Sequence, residues 1–409
     1  MIMTELIEDQ VPADPAIVGA GTDVDQELVA RARALVPLIR EHAEQTSEAR
    51  RVVPEVMDAL EQADLFKIFV PKRFGGHGAN MATATQTIAE VARGDGSTAW
   101  AVSLLNVCTW FATTFSDQAQ QEIFGANPNA KVCGIFTPGS KSERVDGGYL
   151  VSGRWPYSSG SFAADWAALG IAIDVPEGED PRALAAIPSS AWTIEPTWFV
   201  AGMKGSGSDT IVVEDHFVPD HMVQAFPAMR EAEFLTSFSE EQNSHMAFIA
   251  VAALILVAPQ IGLARHALER TQASLPGKAV AYTVYGEAKR SPAHQIGVAN
   301  AATKFHLAEL TLRQACLDID ANAACGHIPT MEVRARIRND TGVVAELVKD
   351  GIDALLTANG AGSFADANTM SRIWQDAEIA GRHAYVTPEV GKEVYGKILL
   401  GDDDLTMDL

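Results

Sequence analysis

GRWPYSSGSFAADWAALG, residues 153–170, crowds two tryptophans, a tyrosine and three serines into a stretch that otherwise reads as strand, turn, strand. Local chemistry gives Ser158 and Ser159 two readings: a turn capping its own backbone, or hydroxyls presented to a ligand beside aromatic walls. Trp155 and Tyr157 alternate with these serines at strand spacing, so they either line a pocket or fill a barrel core. Around this stretch, KVCGIFT, GGYLVSGRWPYSS, DWAALGIAI, TWFVAG and TIVVEDHFV are short β-type runs broken by Pro and Gly. Residues 127–230 are therefore expected to form a mostly antiparallel β domain or barrel.

Both flanks are helical. From Gln26 apolar residues recur three and four apart, and the same period returns after Phe234 and runs to about Gly401. The expected organisation is a loose tail over 1–24, a helical domain over 25–126, the β domain over 127–230 and a helical bundle over 231–409. Helices, then strands, then helices, with no βαβ alternation, is an α+β plan.

Composition removes several function classes. Lys and Arg total 31 against 53 Asp and Glu, a formal net charge of −22 that repels nucleic acid and anionic lipid. Cys108, Cys133, Cys316 and Cys325 form no CxxC pair, as suits reduced thiols in a cytoplasmic protein, and no signal-like order opens the chain. MAFIAVAALILVAPQIGLA, residues 246–264, approaches the length of a membrane span, but Pro259 and Gln260 interrupt it and a buried central helix is expected. AIVGAGTDVDQE, residues 16–27, imitates a dinucleotide fingerprint with Val24 in place of the third glycine. EDHFVPDHM, residues 214–222, resembles a metal site but has no standard ligand spacing, so no metal is expected.

Several motifs in order carry a resemblance: LFKIFVPKRFGGHG, ARGDGSTAW, GRWPYSSGSFAADW, VAGMKGSGSDTIVVEDHFVP and SRIWQDAEIAGRH. Together they resemble the acyl-CoA dehydrogenase fold over about residues 28–401. GRWPYSSG and the ending GRHAYVTPEVGKEVYGKILLG look like one branch of it. That branch holds the oxygenase components of two-component flavin monooxygenases, such as the p-hydroxyphenylacetate and actinobacterial steroid-ring hydroxylases. One common position for the dehydrogenase glutamate lies eight residues beyond Asp376, where this chain has Ala384. Abstracting a thioester α-proton needs a placed carboxylate. The neighbouring His383 matches the histidine of the monooxygenase branch.

The resemblance implies an enzyme using O2 and reduced FMN (FMNH2) or reduced FAD (FADH2), delivered by a separate flavin reductase, to hydroxylate an aromatic substrate through a C4a-hydroperoxyflavin. N- or S-oxygenation and acyl-CoA dehydrogenation are the alternatives. It implies Ser158 and Ser159 as contacts at the flavin N5 and C4a edge, with Ser159 preferred as a catalytic group. His383 would activate a phenol or steady a peroxide, exchanging a proton near neutral pH. Trp155, Tyr157, Phe136 and Thr137 would line the cofactor, and Arg290, with Lys289 as rival, would reach its phosphate. A cytoplasmic homotetramer is implied, because flavin sites of this fold lie between subunits. Branch members often carry a histidine where this chain has Cys108, which is read as passive pocket lining.

Overall fold

The structure, a computed structural model, describes residues 22–402 and 404–409. Most of the tail expected over 1–24, including Gly19 and Gly21 of the dinucleotide-like stretch, lies outside the described residues.

Five helices come first: α1 (Gln26–Ala49), α2 (Pro54–Gln62), α3 (Met81–Ala92), α4 (Gly96–Thr113) and α5 (Asp117–Phe124). Their starts follow from side-chain acceptors that satisfy free amides of the first turn. Asp25 caps α1, Asn80 caps α3, Asp95 caps α4 and Ser116 caps α5. The first turn of α3 has a second cap from far away: the Asp320 carboxylate accepts the Met81 and Ala82 amides at 2.8 and 2.9 Å. Helix α4 is buried almost all round.

Eight strands follow: β1 (Val132–Ile135), β2 (Ser140–Val145), β3 (Gly148–Trp155), β4 (Trp166–Ala172), β5 (Arg182–Pro188), β6 (Trp192–Glu195), β7 (Thr210–Pro219) and β8 (Val223–Ala225). They make two four-stranded sheets, ordered β1-β4-β5-β8 and β2-β3-β7-β6. Every pair is antiparallel except β1 with β4, which run parallel from Val132 opposite Trp166. The chain leaves the first sheet after β1, builds the β2–β3 hairpin of the other, and returns beside β1 in the same direction. TWFVAG, read as a strand, is not one. The Asp209 carboxylate captures its Thr197 and Trp198 amides at 2.7 and 2.9 Å and withdraws them from a ladder.

The remaining chain is helical: α6 (Phe226–Arg230), α7 (Phe248–Leu254), α8 (Ala258–Ser274), α9 (Pro292–Ala324), α10 (Met331–Asn359), α11 (Thr369–Ala380) and α12 (Pro388–Leu399). Phe248–Ser274 is long and apolar enough to cross a membrane, yet 94% of its apolar window is buried inside the fold. Pro259 sits at the start of α8, where its missing N–H is not needed. One apolar core runs through the helices and both sheets. Helix α4 passes between strand β1 and helices α3 and α8, and it forms one wall of the cavity described below.

Candidate active site

A cavity of about 880 Å³ opens between α4, β1, the turn at 203–208, the segment after α11 and residues 406–408. One wall is aromatic. The Phe136 ring lies 4.8 Å from Phe111, tilted, and 6.1 Å, edge-on, from Tyr385. Trp100, Trp198 and Tyr157 add further rings to the lining. Ser159, Ser208, Thr137 and Thr406 supply its aliphatic hydroxyls.

Ser159 sits in the turn after β3, whose Gly160 takes φ +75°. A Cβ on Gly160 would lie 2.8 Å from Leu105, so glycine lets this turn lie against α4. Trp100 Nε1–H then donates to Ser159 Oγ at 3.2 Å, and Ser159 Oγ lies 2.7 Å from Ser208 Oγ. Gly134 of β1 has the same function at the opposite contact: a Cβ there would lie 2.7 Å from the Ala168 carbonyl and 3.1 Å from Cys108 Sγ.

His383 lies in the turn after α11, its ring 5.8 Å from Trp100 and 6.2 Å from Tyr385. The Tyr385 amide donates to His383 Nδ1 at 3.2 Å. Nδ1 is thus an acceptor, and the neutral ring carries its proton on Nε2. Burial, aided by the Arg338 charge, pushes the His383 pKa down to about 4. Arg338, itself buried, donates to the Ala384 and Thr387 carbonyls at 3.1 and 3.3 Å and holds this turn in place.

The wall contains one carboxylate among the described residues, that of Asp408. It accepts from Arg182 at 2.6 and 3.2 Å and from Arg230 at 2.8 Å. Burial works to raise its pKa, but these guanidinium partners outweigh it and hold the carboxyl below its ordinary value. Ala384 lies on the same wall.

Comparison with known proteins agrees with this geometry. Residues 22–125 match the profile described as "Acyl-CoA dehydrogenase, N-terminal domain", and residues 254–388 match "Acyl-CoA dehydrogenase, C-terminal domain". The oxygenase subunit HsaA of a flavin-dependent monooxygenase from Rhodococcus jostii (strain RHA1) is 32% identical over 90% of this chain and 96% of its own length. The oxygenase component of an FADH(2)-dependent resorcinol hydroxylase from Rhizobium sp. (strain MTP-10005) is 30% identical over 93% of this chain and 96% of its own. The solved structure of XiaF from Streptomyces sp., in complex with FADH2 and glycerol, superposes with a TM-score of 0.89 at 29% identity, covering 94% of this chain and 97% of that one. The chain belongs to the flavin-dependent monooxygenases of the acyl-CoA dehydrogenase fold.

The residues of this monooxygenase fit a flavin. An apolar slot with hydroxyls along one side is what a planar, polar-edged ring requires, and the volume suits a cofactor with a substrate. Of the residues expected from sequence, Phe136, Thr137, Tyr157, Ser159 and His383 meet on the wall.

Three expected residues do not. Trp155 is fully buried, with its Nε1–H bonded to the Gly170 carbonyl at 2.8 Å, and is core. Ser158 turns its hydroxyl back to the Trp155 carbonyl at 2.9 Å and caps its own turn. Arg290 is exposed, paired with Glu287 at 3.0 Å and off this cavity; Lys289 pairs with the same carboxylate. For His383, expected to exchange a proton near neutral pH, burial and the Arg338 charge lower the pKa and favour the neutral ring.

Cys108 lines the wall, its thiol pKa pushed well up by burial and by nearby Cys133, which disfavours the thiolate. His221 hydrogen-bonds Glu122 at 3.0 Å, and no cluster of three metal-ligating residues occurs among the described residues. Sequence reasoning did not single out Trp100, Trp198, Ser208, Tyr385 or Asp408. Trp100 and Ser208 lay within ARGDGSTAW and VAGMKGSGSDTIVVEDHFVP, quoted only as family text.

Proposed function

We propose that this chain hydroxylates an electron-rich aromatic substrate, with reduced FMN or FAD supplied by a separate reductase. The observation that carries the reading is the wall itself: aromatic rings and hydroxyls surround the space, while its lone carboxylate is held by two arginines. Among the described residues of the wall, no unpaired carboxylate stands as a candidate dehydrogenase base. Reduced flavin, when bound, would supply the two electrons that let dioxygen give one atom to the substrate and one to water.

The protein's part is to hold, orient and keep dry. Phe136 and Thr137 would flank the cofactor ring, with Ser159 at its polar edge. The packed rings of Phe111, Phe136, Phe226 and Phe248 back this space and exclude water. His383, neutral with its proton on Nε2, would donate a hydrogen bond to an oxygen on the substrate. A ring that protonates near pH 4 is a poor base for a phenol, so orientation is its proposed contribution.

We place the protein in the cytoplasm, where a reductase can draw on nicotinamide, and read it as a homotetramer. Exposed Tyr282, Val284, Ile296, Leu307 and Leu310, in and beside α9, support self-association. The test supplies a flavin reductase, NADH, FMN or FAD, and 18O2 to a panel of phenols and polycyclic aromatics. Substrate-dependent product carrying one 18O is expected. Hydrogen peroxide alone with every substrate, or dye reduction by acyl-CoA thioesters without a reductase, refutes the reading; oxygen found only on nitrogen or sulfur moves it to that class.

A further inference from the structure

A row of hydrogen bonds ends at the cavity. Trp100 Nε1–H donates to Ser159 Oγ at 3.2 Å, Ser159 and Ser208 hydroxyls lie 2.7 Å apart, Ser208 and Ser206 hydroxyls lie 2.7 Å apart, and Ser206 Oγ donates to the Met203 carbonyl at 2.8 Å. None of the four side chains is more than 6% exposed. The far end is anchored: the Met203 amide, at φ +53°, donates to Asp376 Oδ1 at 2.5 Å, so α11 holds the turn that carries Ser206 and Ser208.

The two ends set the sense of the row. An indole N–H only donates and a carbonyl oxygen only accepts. With the Ser206 proton on Met203, the next contact needs the proton of Ser208, and the one after needs that of Ser159. The reverse sense would leave Ser159 only the Tyr157 carbonyl at 3.5 Å and would give up the 2.8 Å bond to Met203. Ser159 therefore has its proton committed to Ser208 and one lone pair filled by Trp100. Its remaining lone pair is what it can offer to the cavity it lines.

We infer that this row makes Ser159 an acceptor-only contact, and that Trp100, Ser206 and Ser208 are positioning residues that favour reduced over oxidised flavin. The inference rests on the flavin reading above. Reduced flavin carries an N–H at N5, whereas oxidised flavin has a bare acceptor nitrogen there. An acceptor-only hydroxyl satisfies the first and sets lone pair against lone pair in the second. At a hydroxyl as buried as Ser159, that mismatch is worth about tenfold in affinity. Ser208→Ala leaves the Ser159 proton without its partner, and Ser206→Ala lets Ser208 turn its own proton back towards Ser159. Either change frees Ser159 to donate.

The experiment measures dissociation constants of the purified full chain for oxidised FMN and FAD, and anaerobically for the dithionite-reduced forms. The parent should prefer reduced flavin. Ser208→Ala and Ser206→Ala should shrink that preference about tenfold, chiefly by tighter binding of the oxidised form, while Ser208→Thr restores the parent ratio. Ser159→Ala should also shrink it, but by weaker binding of the reduced form. A mere loosening of the turn would weaken both forms together. An unchanged ratio in both Ser208→Ala and Ser206→Ala overturns the inference while leaving the flavin reading intact. A parent that binds neither form overturns the flavin reading and this inference with it.

Discussion

Replacing His383 by Gln should remove a source of acid lability, by an amount that follows from its surroundings. Burial and Arg338 put the folded-state pKa at about 4, against 6.5 for an ordinary histidine. Because the folded value is depressed, the unfolded chain binds more protons between those two limits. The stability held by neutral His383 is thus full above pH 6.5 and is lost as pH falls towards 4. At pH 7 the difference is only about 0.2 kcal/mol, whereas at pH 5 it reaches about 2 kcal/mol against the folded state. Urea unfolding of parent and His383→Gln at pH 7 and pH 5 measures it. The variant should gain about 2 kcal/mol on the parent between the two conditions, whatever its offset at pH 7. His266, pushed down to about 3 by burial and nearby arginines, acts in the same sense but is common to both proteins and cancels. A parent and variant that lose stability in parallel would show that His383 titrates near its ordinary value, and the proposed role as a neutral Nε2–H donor would fail.

Ser159→Ala should raise the fraction of NADH electrons released as hydrogen peroxide and leave the buried Trp100 N–H unpaired, costing about 1–3 kcal/mol in unfolding; an unchanged peroxide fraction refutes its role. Asp408→Ala removes the partner shared by Arg182 and Arg230 on the cavity wall, and is expected to cost about 1 kcal/mol and raise the substrate KM several-fold, with an unchanged KM counting against substrate meeting the wall at 406–408. Iodoacetamide at pH 8 should label exposed Cys325 and spare Cys108, read by peptide mass spectrometry; equal labelling would contradict the buried, protonated thiol.

Legibility differed between neighbouring residues. Ser158 and Ser159 are one position apart and identical in type, and nothing local tells them apart. The turn sends one hydroxyl back to the Trp155 carbonyl and the other to Trp100 and the cavity. Trp155 and Tyr157 share a face by spacing, but the strand ends at Trp155 and Tyr157 enters the turn at φ +67°, so one ring goes to the core and the other to the rim. The row through Ser159, Ser208 and Trp100 spans 49 and 59 positions of chain. No periodicity encodes such a contact.

By itself the sequence determined the order of helical, β and helical segments, because apolar spacing of 3.6 or 2 residues is a local property that survives into the fold. Its motifs also led to the family and to His383 and Ser159, because motif text keeps residue type and order. Tertiary structure alone decided which hydroxyl faces the cavity, that burial and Arg338 disfavour the His383 imidazolium, that two arginines hold the Asp408 carboxylate, and which distant serines meet in one row. Those properties depend on desolvation and on the directions of hydrogen bonds between distant segments, and both come into being only when the chain has packed.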